Sequence, residues 1–428
     1  MVLPCSLSHC MRILLLLSVS VWLLVGCAGT RSIQEKVYSL SRSGKTASAV
    51  EYLDASNLAE SRTDRLLYLM ERGTLLQRQG AYRESNAAFE EADRLSEELY
   101  TKSISAGALS FLVNEGVVAY TGADYESVYL NYYKLLNYLA LGNLEAAGVE
   151  ARRVDEKLRY FSDRYEEKTV FREDPFLRML TGLIYHAQRD FNNAFIAYRL
   201  AWNGFLLNRD IYRVPPPQIL WSLLVTTADN ASLLRERDEF RAMAAARGIA
   251  LQRLDTFAVV LVNNGRIPVK QERMALFPSG HGFPVKIALP AFVARDGGAT
   301  TVTAIVDGQR YQAELVENLE AIAFKSLDDE IGRVLVKAIA RAVAKEATAR
   351  QLDDKGNGSA GLLLRVVNLM TERADLRSWV GLPREIKMLV APVATGTAQI
   401  DLEQNGRPLN LKLVLPATPI GFGFVQFF

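Results

Sequence analysis

The chain has 428 residues, 49% of them apolar and 9% aromatic, which is enough for two or three domains with buried cores and excludes wholesale disorder. Fifty basic residues against forty-eight acidic ones leave a net charge of +2, so the strongly basic domain of a nucleic-acid binder is absent. All three cysteines fall within the first 27 residues, so the rest of the chain carries no disulfide and no cysteine metal ligand.

The chain opens on a targeting segment. From Met11 it reads MRILLLLSVSVWLLVGCAGT: one arginine (Arg12), an unbroken apolar run, then small residues. The run is too short, and its flanks too unbalanced, for a spanning helix, so residues 1–26 are expected to be a signal peptide. It ends in Leu24-Val25-Gly26-Cys27, which resembles the bacterial lipobox. That resemblance implies cleavage before Cys27, a diacylglycerol on its thiol and an acylated amino terminus, and several acyl chains anchor stably where one binds only marginally. Ala28 at the next position implies sorting to the outer membrane, facing the periplasm, with residues 27–33 as a short lipidated tether. No second apolar run reaches spanning length, which leaves Cys27 as the membrane anchor.

Residues 34–250 are helical in period, with apolar positions at i, i+3, i+4 and i+7. They also repeat. LYLMERGTLLQRQGAYRESNAAFEEA sets Gly73, Leu76, Gly80, Tyr82, Phe89 and Ala92 at tetratricopeptide spacing. FLRMLTGLIYHAQRDFNNAFIAYRLA repeats the scheme with Gly182, Tyr185, Phe191, Ala194, Tyr198 and Ala201. GADYESVYLNYYKLLNYLALGNLEAAGVEARRV fits between them through Gly142, Leu144, Ala147 and Ala151, and VYSLSRSGKTASAVEYLDAS reads as a degraded first copy. The small residue at Gly73 lets two helices approach while Phe89 fills the space beside it. An extra helix is expected over 104–119. Pro215-Pro216-Pro217 punctuates the array before a last helical piece from Gln218 to Arg247.

In such an array the first-helix side chains that do not pack between helices line a concave groove. By register these are Met70, Thr74 and Gln77, then Tyr129, Tyr132 and Leu136, then Phe176, Met179, Leu183 and His186. Aromatics and methionine suit a peptide groove. The alternative is that half of them are core, and that His186 simply packs. Arg152 and Arg153 are expected to pair with Glu126, Glu150 or Asp155.

Near Asp255 the period changes. TFAVVLVNNG, FPVKIAL, TTVTAIVDGQRYQAELV, EIKMLVAPV and TAQIDLEQNGRPLNLKLVL are strand-like runs joined by Asp-Gly and Asn-Gly hairpin turns. A long helix over 328–350, the polar stretch DDKGNGSAG and a second helix over 361–374 interrupt them. Residues 255–428 are therefore expected to be an α+β domain. On the long helix Arg333, Lys337, Arg341 and Lys345 form an i, i+4 row beside Ile331, Leu335, Ile339 and Val343. A basic stripe of this kind could meet anionic lipid or glycan; the ordinary reading is a solvated face.

Catalytic equipment is sparse. Only His186 and His281 follow the signal segment, so no metal site and no cofactor are expected. Ser43-Gly44-Lys45-Thr46 lacks the glycine and strand that precede a phosphate loop and reads as an interhelix turn. Ser279 and His281 in PSGHGFP lack the strand–turn–helix context of a nucleophile elbow and read as a glycine-rich loop.

Three pieces, GADYESVYLNYYKLLNYLALGNLEAAGVEARR, AIARAVAKE and TERADLRSWVGLPREIKM, together resemble an uncharacterised family of Gram-negative tetratricopeptide lipoproteins. The resemblance implies a TPR-like helical array followed by a smaller α+β domain, and carries over no catalytic residue. It implies envelope proteins as partners and a role as scaffold or regulator in cell-envelope assembly, towards peptidoglycan synthesis. The alternative is an envelope glycan-binding protein or hydrolase acting through the C-terminal domain.

Overall fold

The computed structural model describes residues 26–105, 118–164, 174–278, 284–295, 297, 300–306, 308–355, 358–393, 398–415 and 419–427. Residues 1–25 of the segment expected to be a signal peptide, most of the helix expected over 104–119, and Ser279 with His281 lie outside them.

The N-terminal half is a succession of antiparallel helix pairs: α1 (Gly26–Arg42) with α2 (Thr46–Asp54), α4 (Arg65–Arg78) with α5 (Tyr82–Ser105), α6 (Asp124–Ala140) with α7 (Leu144–Arg164), α8 (Pro175–Ala187) with α9 (Phe191–Leu207), and α11 (Ile219–Asn230) with α12 (Leu234–Ala246). Short helices α3 (Asn57–Glu60) and α10 (Arg209–Tyr212) sit between pairs. All five pairs share one turn. Its residue in the left-handed region is Gly44, Gly80, Gly142, Arg189 or Ser232, with φ between 59° and 82°. The next residue donates its N–H back into the helix: Lys45 to Leu40 O, Ala81 to Leu76 O, Asn143 to Tyr138 O, Asp190 to Tyr185 O, Leu233 to Ala228 O, all at 2.8–3.0 Å. This is the Schellman cap, which satisfies the carbonyls that the helix end leaves orphaned. The SGKT stretch is the first such turn, and the piece after the prolines is a fifth pair, whose turn carries Ser232 where glycine would have advertised it.

Within pairs, small residues set the approach. A Cβ at Gly73 would lie 2.5 Å from the Phe89 ring, and one at Gly182 would lie 2.6 Å from the Tyr198 ring. Both rings are fully buried. The array is TPR-like, with a close-packed aromatic in each of these two pairs.

The C-terminal half is α+β. Strand β1 (Phe257–Asn264) is buried along its whole length, which is why its sequence FAVVLV shows no polar alternation. It lies inside a sheet of order β10-β1-β7-β6, with β7 (Glu385–Pro392) and β6 (Glu314–Glu317) antiparallel in turn and β10 (Ile420–Phe427) parallel to β1. The odd side chains of β1 (Phe257, Val259, Leu261) join the core of the helical array. The even ones (Ala258, Val260, Val262) pack on a second sheet of order β5-β4-β8-β9 through Val302, Ala304, Ile400 and Leu402. That sheet is built from β4 (Val302–Val306), β5 (Gln309–Gln312), β8 (Ala398–Gln404) and β9 (Arg407–Leu415). Period two thus gives three layers: helices, sheet, sheet.

A separate hairpin, β2 (Val269–Pro278) with β3 (Pro284–Val293), packs against the long helix α13 (Leu319–Asp354), and α14 (Gly358–Thr371) returns alongside it. Helix α13 starts nine residues before the expected boundary at 328 because Asn318 Oδ1 caps it, accepting from Ala321 N at 3.1 Å. The terminal FGFVQF is an edge strand beside β1.

Candidate functional site

The inner face of the array is filled by the chain's own C-terminal half. Residues 372–384, between α14 and β7, run as an irregular segment across α1, α4 and α6. Five consecutive residues of this segment find array partners. The Arg377 guanidinium donates to Asp64 Oδ1 at 2.9 Å, to Thr63 O and to Val118 O, and its charge lies 5.4 Å above the Tyr120 ring. Ser378 O accepts from Gln34 Nε2 at 3.0 Å. Trp379 N donates to Glu126 Oε1 at 2.8 Å and its indole Nε1 to Thr74 Oγ1 at 3.0 Å. Val380 N donates to Glu71 Oε1 at 3.0 Å, and Gly381 O accepts from Arg78 Nη2 at 3.4 Å. The indole, among the largest fully buried side chains, packs at a tilt against Phe89 and Tyr133, which stack on each other, with ring centroids 5.7 and 5.3 Å away. Two buried carboxylates therefore pair with main-chain N–H groups of an irregular segment, the chemistry by which a groove holds a peptide.

Glycine is required at 381. A Cβ there would collide with the Tyr38 hydroxyl and lie 3.0 Å from both Glu71 Oε2 and Trp379 Nε1. Tyr38 cannot yield, because its hydroxyl donates to Glu71.

The sheet seals the rest of the inner face. Tyr132 donates to Asn263 Oδ1 of β1 at 2.7 Å and stacks edge-on against Phe176. His186 meets the ring of Phe257 at 5.4 Å. Thus Met70, Thr74, Gln77, Tyr129, Tyr132, Leu136, Phe176, Met179, Leu183 and His186 are all buried, and the open peptide groove expected of them is corrected to an interface between the two halves of one chain. The register that aims them inward is as expected; the occupant is not a separate molecule.

The basic stripe is corrected too. Arg341 is buried and bonded to Glu372 at 3.4 Å, and Lys345 reaches the same carboxylate at 2.5 Å. Two of the four cations therefore fasten α13 to the start of the groove segment. Arg333 is exposed and Lys337 half-buried. Arg153 pairs with Glu150 at 3.2 Å and also with Glu90 at 3.1 Å.

Burial tunes several acids in this interface. Glu71 is pushed up to about 7 by desolvation, against the bonds it accepts from Tyr38, Gln34 and Val380 N. Asp174, which caps α8 by accepting from Leu177 N at 2.8 Å, is pushed up to about 6 by burial. Glu317 of β6 bonds to it and is raised well above the carboxylate range, first by burial and then by the Asp174 charge. His186 is pushed the other way, down to about 4, by burial alone. Outside the interface, Lys134 is buried among Glu90 (2.8 Å), Asp93 (2.7 Å) and Glu150 (3.2 Å). Burial opposes its charge, but Asp93 and Glu150 outweigh burial and raise its pKa.

The sequence marked TERADLRSWVGLPREIKM only as a family-like motif. The signal that could have marked it as a groove ligand is a tryptophan two residues before a glycine, in a stretch with neither helical nor strand period.

No family profile and no curated protein sequence matches the chain. Among solved structures it is similar to a kinesin light chain-type protein of Podosopora anserina with nearly identical TPR-like repeats: 14% identity, 51% of this chain, 96% of that one, TM-score 0.32. It is also similar to BtubC (BKLC) from P. vanneervenii, at 11% identity over 53% of this chain and 92% of that one with TM-score 0.27. A tetratricopeptide repeat protein from Parabacteroides merdae matches at 14% identity over 53% and 94%, with TM-score 0.17.

Proposed function

We propose that this chain is an outer-membrane lipoprotein, anchored through Cys27 and facing the periplasm, that serves as a protein-interaction scaffold or regulator in cell-envelope assembly, with a bearing on peptidoglycan synthesis. The observation that best supports the scaffold is the sealed inner face. A TPR-like array locked onto an α+β half by Trp379 and Arg377 is a rigid body that presents its outer surface to partners, envelope proteins on this reading. The anchor is supported by Leu24-Val25-Gly26-Cys27 alone. Among the described residues no helix is long and apolar enough to cross a membrane.

The test is crosslinking of intact envelopes followed by capture of the tagged chain. One or more reproducible envelope proteins are expected; none across repeated captures sinks the scaffold reading. Cys27→Ser should abolish palmitate labelling and yield soluble periplasmic protein or unprocessed precursor. Sedimentation of that variant with the outer membrane after a high-salt wash would rule Cys27 out as the main anchor.

A further inference from the structure

The unit formed by β2–β3, α13 and α14 turns an apolar face outward. Helix α14 meets α13 through Gly361, where a Cβ would lie 2.9 Å from Ala349 O, and through Arg365, paired with Glu346 at 3.1 Å and Asp353 at 2.7 Å. The opposite side of α14 carries Leu362, Leu363, Val366, Val367 and Met370, with Leu363 57% and Met370 54% exposed. On α13, Leu335, Val336, Ile339 and Val343 continue it, Val336 and Val343 at 61% and 64%. At the outer end of β2, Phe277 shares the face of its partner Val285, towards α13, while Met274 and Leu276 lie on the other face, and all three are exposed. Scattered exposed apolar residues need no explanation; nine of them in rows on two paired helices mark a contact surface.

The position of α1 says what covers it. Its first turns lie against the base of this unit: Arg31 donates to Lys270 O at 3.5 Å, and Glu35 pairs with Arg295 at 2.9 Å. Cys27 is four residues, about 6 Å of helix, before Arg31. The cleft between them, of about 500 Å³, is lined by Arg31, Glu35, Glu272 and Arg373. Its two carboxylates are engaged by Arg295 and Lys286, so Arg31 and Arg373 leave its mouth net positive. We infer that this face docks on an anionic phospholipid surface and lies down on the bilayer that holds the Cys27 lipid. The 14 residues of α14 extend about 21 Å, too short to cross a hydrocarbon core of about 30 Å. The helix therefore lies in the interface plane, apolar side down, and the cationic mouth meets lipid phosphates. The choice of lipid as occupant rests on the anchor proposed above; the exposed face does not.

The test uses the full mature chain with Cys27→Ser, which has no lipid and no other cysteine, and vesicles of phosphatidylethanolamine and phosphatidylglycerol at roughly 3:1, whose anionic fraction attracts the two arginines of the cleft mouth. The chain is expected to float with the vesicles. An environment-sensitive fluorophore on Leu363→Cys should shift to the blue on mixing, and one on Glu156→Cys, exposed on α7, should not. Leu363→Asp with Met370→Asp should cut the floated fraction by roughly tenfold or more, since each apolar side chain is worth about that in partitioning. Both side chains face solvent, so the melting temperature should hold; if it falls, the fluorophore result decides. Absence of flotation, or an unchanged Leu363→Cys spectrum, overturns the inference. So does a dimer of the unlipidated chain that the double aspartate variant dissociates, which would make a second copy the occupant. Failed flotation with intact palmitate labelling of the parent sinks this face alone. Flotation without labelling sinks only the anchor.

Discussion

The indole N–H of Trp379 donates to Thr74 Oγ1 across 305 residues of chain. The hydroxyl proton of Thr74 is committed to Met70 O at 3.0 Å, so its oxygen is oriented to accept. This bond and the tilted ring contacts with Phe89 and Tyr133 make Trp379 the pin between array and α+β half. Trp379→Ala should cost about 3–5 kcal/mol, the range for deleting a buried large aromatic. Trp379→Phe, which keeps most of the packing and leaves Thr74 without its donor, should cost about 1–3 kcal/mol. Thermal melting reads both, and limited proteolysis between Glu372 and Pro383 should quicken in the alanine variant. Equal melting of Trp379→Ala and the parent would mean the segment does not hold the halves together.

Tyr132, expected from register to face a groove, is as buried as Phe89 and bonds to Asn263. Tyr132→Ala and Phe89→Ala should therefore melt early together, each losing about 3–5 kcal/mol. Tyr132→Phe isolates the hydrogen bond to Asn263 and should cost about 1 kcal/mol. A Tyr132→Ala variant that melts like the parent would return this side chain to solvent.

Lys134 ties α6 to α5 and α7 through Asp93, Glu90 and Glu150. Lys134→Met removes one of two cations from each of the buried Asp93 and Glu150, which keep Lys157 and Arg153, and should cost about 1–3 kcal/mol, less than breaking an isolated buried pair. Asp93 sits below its ordinary value: burial would raise it, but Lys157 and Lys134 overcome burial. Its stabilisation is thus present above the unfolded carboxylate pKa and is lost as pH falls through the lower folded value. Urea melts below pH 4 should show this loss, and Asp93→Asn should blunt it.

Glu71 and His186 give the interface opposed pH responses. The folded pKa of Glu71 is raised to about 7, so its contribution is full below the ordinary value of 4.5 and lost as pH climbs to about 7. His186 is depressed to about 4, so its contribution is full above 6.5 and lost as pH drops towards 4. The windows overlap with opposite sign, so each is read against the parent. Glu71→Gln should gain stability relative to the parent as pH rises from 4.5 to 7, by up to about 3 kcal/mol. His186→Gln should lose relative to the parent as pH rises from 4 to 6.5. Differences that stay flat across both ranges would show that neither group titrates in the interface.

Local pattern carried much of this fold. Gly73 with Phe89 and Gly182 with Tyr198 are neighbours within one hairpin, so their spacing in sequence is their spacing in space. The β4–β5 and β8–β9 turns were readable because Gly308, Asn405 and Gly406 adopt the positive φ that tight hairpins need. The α11–α12 pair was not read as a repeat because it lacks both the turn glycine, Ser232 holding that left-handed position, and a helix glycine set against an aromatic, which marked α8–α9 through Gly182 and Tyr198 although Arg189 holds its turn.

Helical period fixes which side chains of α4, α6 and α8 share a face, and it does so before any partner exists. It cannot say what that face meets, because a peptide groove and a domain interface ask for the same apolar residues at the same positions. That was decided by a segment some 300 residues downstream, whose own conformation is irregular and leaves no period to detect. The same holds for Arg341: an i, i+4 row places it beside Lys337 and Lys345, and only the approach of Glu372 buries it. Local geometry follows from adjacent residues, whereas burial follows from whichever distant surface arrives, and here that surface belonged to the same chain.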